Sequence, residues 1–183
     1  GSSSLRRQAQ LRAMRPDLNV APLRGNVNTR LARLAAGDYD AIILATAGLQ
    51  RLGLDRHITE TFTPGKMLPA AAQGVIGIEC LEGQRDLIAV LQQIEHPSSV
   101  VTTAAERAVA ARLNASCQSP VASFAELDGD TLTVRALVAS EDGQTIIRAR
   151  VAGDGSNAAA LGEAAAEQLL AEGAGDLLQA LGE

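Results

Sequence analysis

Gly1-Ser2-Ser3-Ser4-Leu5-Arg6-Arg7 sets three serines ahead of two adjacent arginines, at the point where a helix is expected to begin. Leu23-Arg24-Gly25-Asn26-Val27-Asn28-Thr29-Arg30 repeats the theme, with one arginine before a Gly-Asn turn and another a helical turn beyond it. A helix start offers unpaired backbone N–H groups, polar side chains add contacts, and the macrodipole favours negative charge there. Arginine brings a planar fork that matches a carboxylate or phosphate bidentately. This is chemistry for holding anions. Cys117 is the second candidate, in the polar loop Asn114-Ala115-Ser116-Cys117-Gln118-Ser119-Pro120. A cysteine there is a nucleophile, an attachment point or an incidental thiol, and the helix C-terminus before it works against a thiolate.

Charge is distributed to match. Residues 1–60 carry nine arginines against five acids, whereas the remainder carries seven basic and sixteen acidic residues. The first third is therefore basic inside a chain of net charge −5. Tyr39, Phe62 and Phe124 are the only aromatics, too few for the stacking platforms of single-strand nucleic-acid binding. Net acidity also speaks against a general polyanion binder. No apolar run is long enough to span a membrane, and no CxxC, HExxH or histidine cluster announces a metal. Cys80 and Cys117 make no disulfide framework, which points to a reduced, cytoplasmic protein. Cys80 itself is expected to be packed as a small hydrophobe, and His57 and His96 to be ordinary surface residues.

The elements that must position these residues follow from periodicity and punctuation. A serine-capped helix is expected over residues 4–15, stopped by Pro16. Leu18–Leu23 predicts a short strand, Asn26 or Asn28 the cap of a helix to about Ala36, and Asp40–Ala45 a strand buried on both faces. Together they make a βαβ crossover, whose ligands sit beyond the carboxyl ends of the strands, where Arg24 and Arg51 fall. Gln73–Cys80 predicts another strand, Gln84–Ile94 a helix, and His96–Ser99 a junction. Thr103-x-x-Glu106 has the form of a capping box, opening a helix that buries Ala105, Val109 and Leu113. Asp128-Gly129 and Asp142-Gly143 read as hairpin turns flanking strands that alternate at Leu132, Val134, Ala136, Val138 and at Ile147, Ala149, Val151. A last helix, Ser156 to about Glu172, buries Leu161, Ala165 and Leu169. From about residue 100 the chain is a small α+β unit.

Several stretches resemble the porphobilinogen deaminase (hydroxymethylbilane synthase) family: Gly1–Gln8, Leu23–Arg30, Asp38–Ala45, Ala47–Gly53, Ala71–Glu79 and the Cys117 loop, in order and over essentially the whole chain. The resemblance implies a transferase of tetrapyrrole and haem biosynthesis that joins four porphobilinogen units into hydroxymethylbilane with release of ammonia. It implies a dipyrromethane cofactor held by a thioether at Cys117. Ser4, Arg6, Arg7, Arg24, Gly25 and Asn26 would contact that cofactor, and Arg24, Arg30 and Arg51 the carboxylates of substrate and growing polypyrrole. Each charge-assisted hydrogen bond of this kind contributes about 1.5–3 kcal/mol before desolvation costs. The implied architecture is an α/β lobe like part of a type-II periplasmic binding protein, followed by a small α+β C-terminal domain. Residues 1–67 would belong to the second α/β domain, 68–98 would return into the first, and 99–183 would form the cysteine-bearing domain.

Two departures and one absence qualify the match. Ala115-Ser116 stands where the family has Gly-Gly, which predicts a stiffer or differently turned loop, and Gly-Ser-Ser-Ser replaces Gly-Thr-Ser-Ser. The family also has a long N-terminal segment with the catalytic aspartate, so this polypeptide alone is expected to be inactive, with no catalytic residue assignable in it. When complete it is expected to be a monomer that binds no nucleic acid and no membrane. The principal alternative is a truncated or degenerate homologue acting only as a carboxylate-binding module. A phosphate or nucleic-acid binder using the arginine-rich edge is a further one, which steep salt dependence of binding would support.

Overall fold

Ser4, extended at φ −86° and ψ 113°, turns the chain into helix α1 (Leu5–Met14) in a computed structural model that describes residues 1–180. Asn26 caps α2 (Val27–Ala35) by accepting from Thr29 N at 2.9 Å, and Gly37 follows its end at φ +81°. The short α3 (Thr46–Arg51) and α4 (Arg85–Gln92) come next, then the long α5 (Pro97–Arg112). Strands β1 (Val121–Asp128), β2 (Thr131–Ala139) and β3 (Ile146–Asp154) form one antiparallel sheet in the order β1-β2-β3. Helices α6 (Ala158–Ala171) and α7 (Ala174–Gln179) complete the described chain.

The period-2 pattern places Leu132, Val134, Ala136 and Val138 on one face of β2, where all four are buried. They pack with Ala105, Val109 and Leu113 of α5 and Ala165, Ala166 and Leu169 of α6. Gly162 lets α5 and α6 approach closely, since a Cβ there would overlap the Ala105 carbonyl. The other sheet face has a smaller cluster: Ala122, Leu137 and Ala139 meet Ala9 of α1 and Leu68. Gln10 fastens this second contact, its Nε2 donating to Leu68 O at 3.0 Å and its Oε1 accepting from Leu68 N at 2.8 Å.

The strands expected at Leu18–Leu23, Asp40–Ala45 and Gln73–Cys80 do not form, and Gln73 and Gly74 lie in a turn, with Gly74 at φ +93°. Ser2 N donates to Ala21 O and Ile43 N to Gly1 O, so residues 1–2 lie between the first two segments. Only these few backbone groups are available there, too few for a continuous ladder. Residues 40–45 are exposed or half-buried rather than buried on both faces, and residues 73–80 are exposed throughout. Cys80 is accordingly exposed rather than packed. Tyr39 ties this lobe together: its hydroxyl donates to Pro22 O at 2.7 Å, Arg33 covers its ring at 5.0 Å, and Gly1 lies against its edge.

The capping box also fails. Helix α5 begins six residues earlier than Thr103, at Pro97, whose ring presets the first helical φ, with His96 as N-cap. His96–Ser99, read as a junction, is where this helix starts. Glu106 sits mid-helix and reaches outward to Ala72 N at 2.6 Å and Ala125 N at 2.9 Å.

Candidate functional site

Helix α1 presents Arg6 and Arg7 in its first turn. The Ser4 side chain makes no capping bond, so its hydroxyl is not committed to the helix. Ser3 Oγ and Arg6 Nε are buried without any hydrogen-bond partner among the described residues. Burial first, and the like charge of Arg7 second, push the Arg6 pKa down to about 10. Arg7 is lowered too, by burial and then by Arg30, which places Arg30 in the same electrostatic neighbourhood. Arg7 donates to two neutral oxygens, Ile43 O and Gln73 Oε1, both at 3.3 Å.

Around this pair the Gly-Asn turn is built to fixed geometry. Gly25 has φ +116°, and a Cβ there would stand 2.9 Å from Thr29 Cγ2, so only glycine fits. Asn26 spends its Oδ1 on Thr29 N and Thr29 Oγ1, which makes its carbonyl oxygen a structural cap and leaves only its amide nitrogen for a ligand. Arg30 Nε donates to Gly25 O at 2.7 Å, holding the guanidinium over the turn. Arg24 is exposed, and Arg51 reaches from α3 to Gly74 O at 2.6 Å.

Burial, rather than pairing alone, sets Arg6 and Arg7 apart, since Arg12, Arg56, Arg85, Arg107, Arg148 and Arg150 also lack a carboxylate partner among the described residues. Arg15, Arg33, Lys66, Arg112 and Arg135 each pair with a carboxylate, while Arg6, Arg7, Arg24, Arg30 and Arg51 pair with none among the described residues. Burying a guanidinium without a counter-charge is costly unless a ligand supplies one. The arrangement can hold a molecule with several negative charges.

Cys117 is an exposed, free thiol in a turn stitched by its own serines. Ser116 N donates to Ser119 Oγ at 3.0 Å, Gln118 N to Ser116 Oγ at 3.2 Å, and Ser119 N to Ser116 O at 3.1 Å. The left-handed residue that ends α5 is Asn114, at φ +49°. Ala115 and Ser116 therefore need no glycine-only conformation, and Ala115 packs on the core.

Sequence reasoning missed Ser3, Ile43, Gln73 and Glu106. The signal for Ser3 was the serine run itself. Gln73-Gly74 stood in a stretch read as a strand whose glycines allow close approach, and both residues contact site arginines. Glu106 holds Ala72 beside them, with Ala72 in the left-handed region at φ +55°. Its pKa is raised by burial, against the two backbone N–H donors that favour the carboxylate. No group of three or more potential metal ligands gathers among the described residues.

An arginine-lined anion site joined to a thiol-bearing α+β unit is the class of protein this geometry defines. Comparison with known families is specific. Residues 1–89 match the family model described as porphobilinogen deaminase, dipyromethane cofactor binding domain, and residues 100–171 match that of the porphobilinogen deaminase C-terminal domain. Curated porphobilinogen deaminases of Bordetella parapertussis and Bordetella bronchiseptica are each 50% identical over 181 residues, which is 99% of this chain and 58% of theirs. The chain belongs to the porphobilinogen deaminase family. It spans 58% of the length of the curated relatives it matches.

Proposed function

We propose that this chain serves a transferase that assembles porphobilinogen units into hydroxymethylbilane on a dipyrromethane group anchored at Cys117. The observation that carries the proposal is the adjacent, largely buried pair Arg6 and Arg7 at the start of α1, which has no carboxylate partner among the described residues. A pyrrole bearing acetate and propionate side chains supplies the missing charge. The orphaned Arg6 Nε and Ser3 Oγ, with the uncommitted Ser4 hydroxyl, fit such carboxylates.

When bound, the dipyrromethane supplies an anchored pyrrole end to which the next unit is joined. Cys117 holds that group through sulfur, on a loop whose serine bonds restrict its swing. Arg6 and Arg7 bind its carboxylates, Ser4, Gly25 and Asn26 shape the turn beside them, and Arg24, Arg30 and Arg51 receive the carboxylates of incoming units. Buried guanidinium groups lose less of their attraction to solvent screening than exposed ones, so the α1 pair contributes most to binding. We assign no acid–base catalyst among the described residues.

We further propose a type-II periplasmic-binding-protein-like arrangement for the lobe, with residues 1–67 in one α/β domain, 68–98 returning into another, and 99–183 as the cysteine-bearing domain. The position of residues 1–2 between the segments at 21 and 43 supports a central-strand role for the chain there. Two free cysteines support a reducing, cytoplasmic location.

The test is intact mass with peptide mapping across Arg112–Glu126 after incubation with porphobilinogen, on a polypeptide extended to the full length of the curated relatives. Mass gained in whole pyrrole units on Cys117, and lost in Cys117→Ser, is the expected result. A chain that never gains mass there overturns the proposal.

A further inference from the structure

The two hairpin turns of the sheet carry glycines with the same backbone habit and opposite surroundings. Gly129, at φ +54°, is exposed, and a Cβ on it would meet open space. Gly143, at φ +73°, is buried, which is unusual for a turn tip. A Cβ on Gly143 would overlap the Ala9 carbonyl of α1 and press on Arg12 Cβ at 3.1 Å and Ala13 N at 3.2 Å. The turn is therefore seated directly on the backbone of the helix that displays Arg6 and Arg7.

The seated turn is stiff in its own right. Asp142 Oδ1 accepts from Ser140 Oγ at 2.5 Å and from Gln144 N at 3.0 Å, and Ser140 Oγ also accepts from Thr145 N at 3.0 Å. Arg12 Nη1 donates across the contact to Glu141 O at 2.5 Å. Two residues away on the helix, Gln10 clamps Leu68, which packs on the same face of the sheet. One helix thus carries the arginine pair at its N-terminus and the seat of the C-terminal unit along Ala9–Ala13.

We propose that Gly143 is a positioning residue: its turn seats on α1 as a rigid knob and fixes where the Cys117 unit stands relative to Arg6 and Arg7. The consequence for loading rests on the function proposed above, whereas the seating itself does not. Arg12 acts with Gly143 by holding the rim of the turn.

Two measurements separate these levels. Nitroxide labels at Ala36→Cys and Ala164→Cys, in a Cys80→Ser and Cys117→Ser background, report the distance between lobe and C-terminal unit by pulsed electron paramagnetic resonance. Gly143→Ala shifts or broadens that distance distribution, and Gly129→Ala, with the same left-handed strain and no clash, leaves it as in the parent. Arg12→Met, which keeps the glycine and loses the bond to Glu141 O, broadens it to a lesser degree. In chains extended in the same way, retaining Cys117 and incubated with porphobilinogen, the fraction of Cys117 loaded falls several-fold in Gly143→Ala relative to Gly129→Ala. An unchanged distance distribution in Gly143→Ala overturns the seating. A shifted distribution with unchanged loading overturns its role in positioning. A parent that never loads overturns the proposed function, and the distance measurement still decides the seating.

Discussion

The C-terminal unit and the lobe before it obtain their order by different means. Residues 97–180 hold a three-stranded antiparallel sheet with helices on one face, and the larger buried cluster lies wholly within them. The lobe has short helices and unladdered segments whose backbone groups make only isolated bonds, with Leu23 and Leu49 among its few buried large side chains. The unit that carries the thiol is thus self-supporting. The unit that carries the arginines is held by specific polar contacts, including Gln10 on Leu68, Tyr39 on Pro22 and Arg51 on Gly74. A rigid anchor paired with a hydrogen-bonded anion site suits a protein whose bound group is fixed at one end and recognised along its length.

The sharpest break of this contrast is amide exchange. The amides of β2, bonded on both sides, are expected to exchange only through global opening, and those of residues 41–45 orders of magnitude faster. Comparable protection would erase the distinction. Next in size are cavities. Leu169→Ala is expected to cost about 2–5 kcal/mol in denaturant unfolding, and Leu23→Ala to lie at the low end, about 2 kcal/mol, because its surroundings can collapse. A larger loss at Leu23 would place the stable core in the lobe.

Glu106 joins the two regions, so its replacement tests the link. Glu106→Gln turns an amide NH2 toward one of the two backbone donors, and a loss of about 1–3 kcal/mol is expected. The sign of its pH effect is set by burial, which raises its folded-state pKa above the ordinary 4.5. The folded chain then holds more protons than the unfolded one, so this group's contribution to stability falls as pH rises from 4.5 through the raised value. Glu106→Gln should remove that fall from a stability–pH profile, and an unaltered slope would assign it elsewhere. Smallest is Asn26→Ala, expected to cost about 1 kcal/mol through loss of the α2 cap. Circular dichroism melting should show it without change in the α5–α6 core.

What the sequence made legible follows the same division. Alternation at Leu132–Val138, the two Asp-Gly turns and the shared face of Ala105, Val109 and Leu113 are local patterns whose partners lie within the same unit. The strands expected at 18–23, 40–45 and 73–80 were read from apolar runs, which report a tendency to extend but not the presence of a ladder partner. Thr103 and Glu106 have capping-box spacing, yet Pro97 starts the helix earlier and Glu106 serves distant backbone. Arg6, Arg7, Arg24, Arg30 and Arg51 were identified by type and position. Their lack of counter-charges, which sets them apart from Arg15 and Arg33, depends on three-dimensional placement and could not be read from spacing.

Tyr39 gives the lobe an optical identity. It is the single tyrosine in a chain without tryptophan. Near-ultraviolet emission from the whole protein therefore originates essentially at one ring, lodged between Arg33 and Gly1 and bonded to Pro22. An ordinary fluorescence trace is blind to the C-terminal core and reports the packing of the segments that frame the arginines.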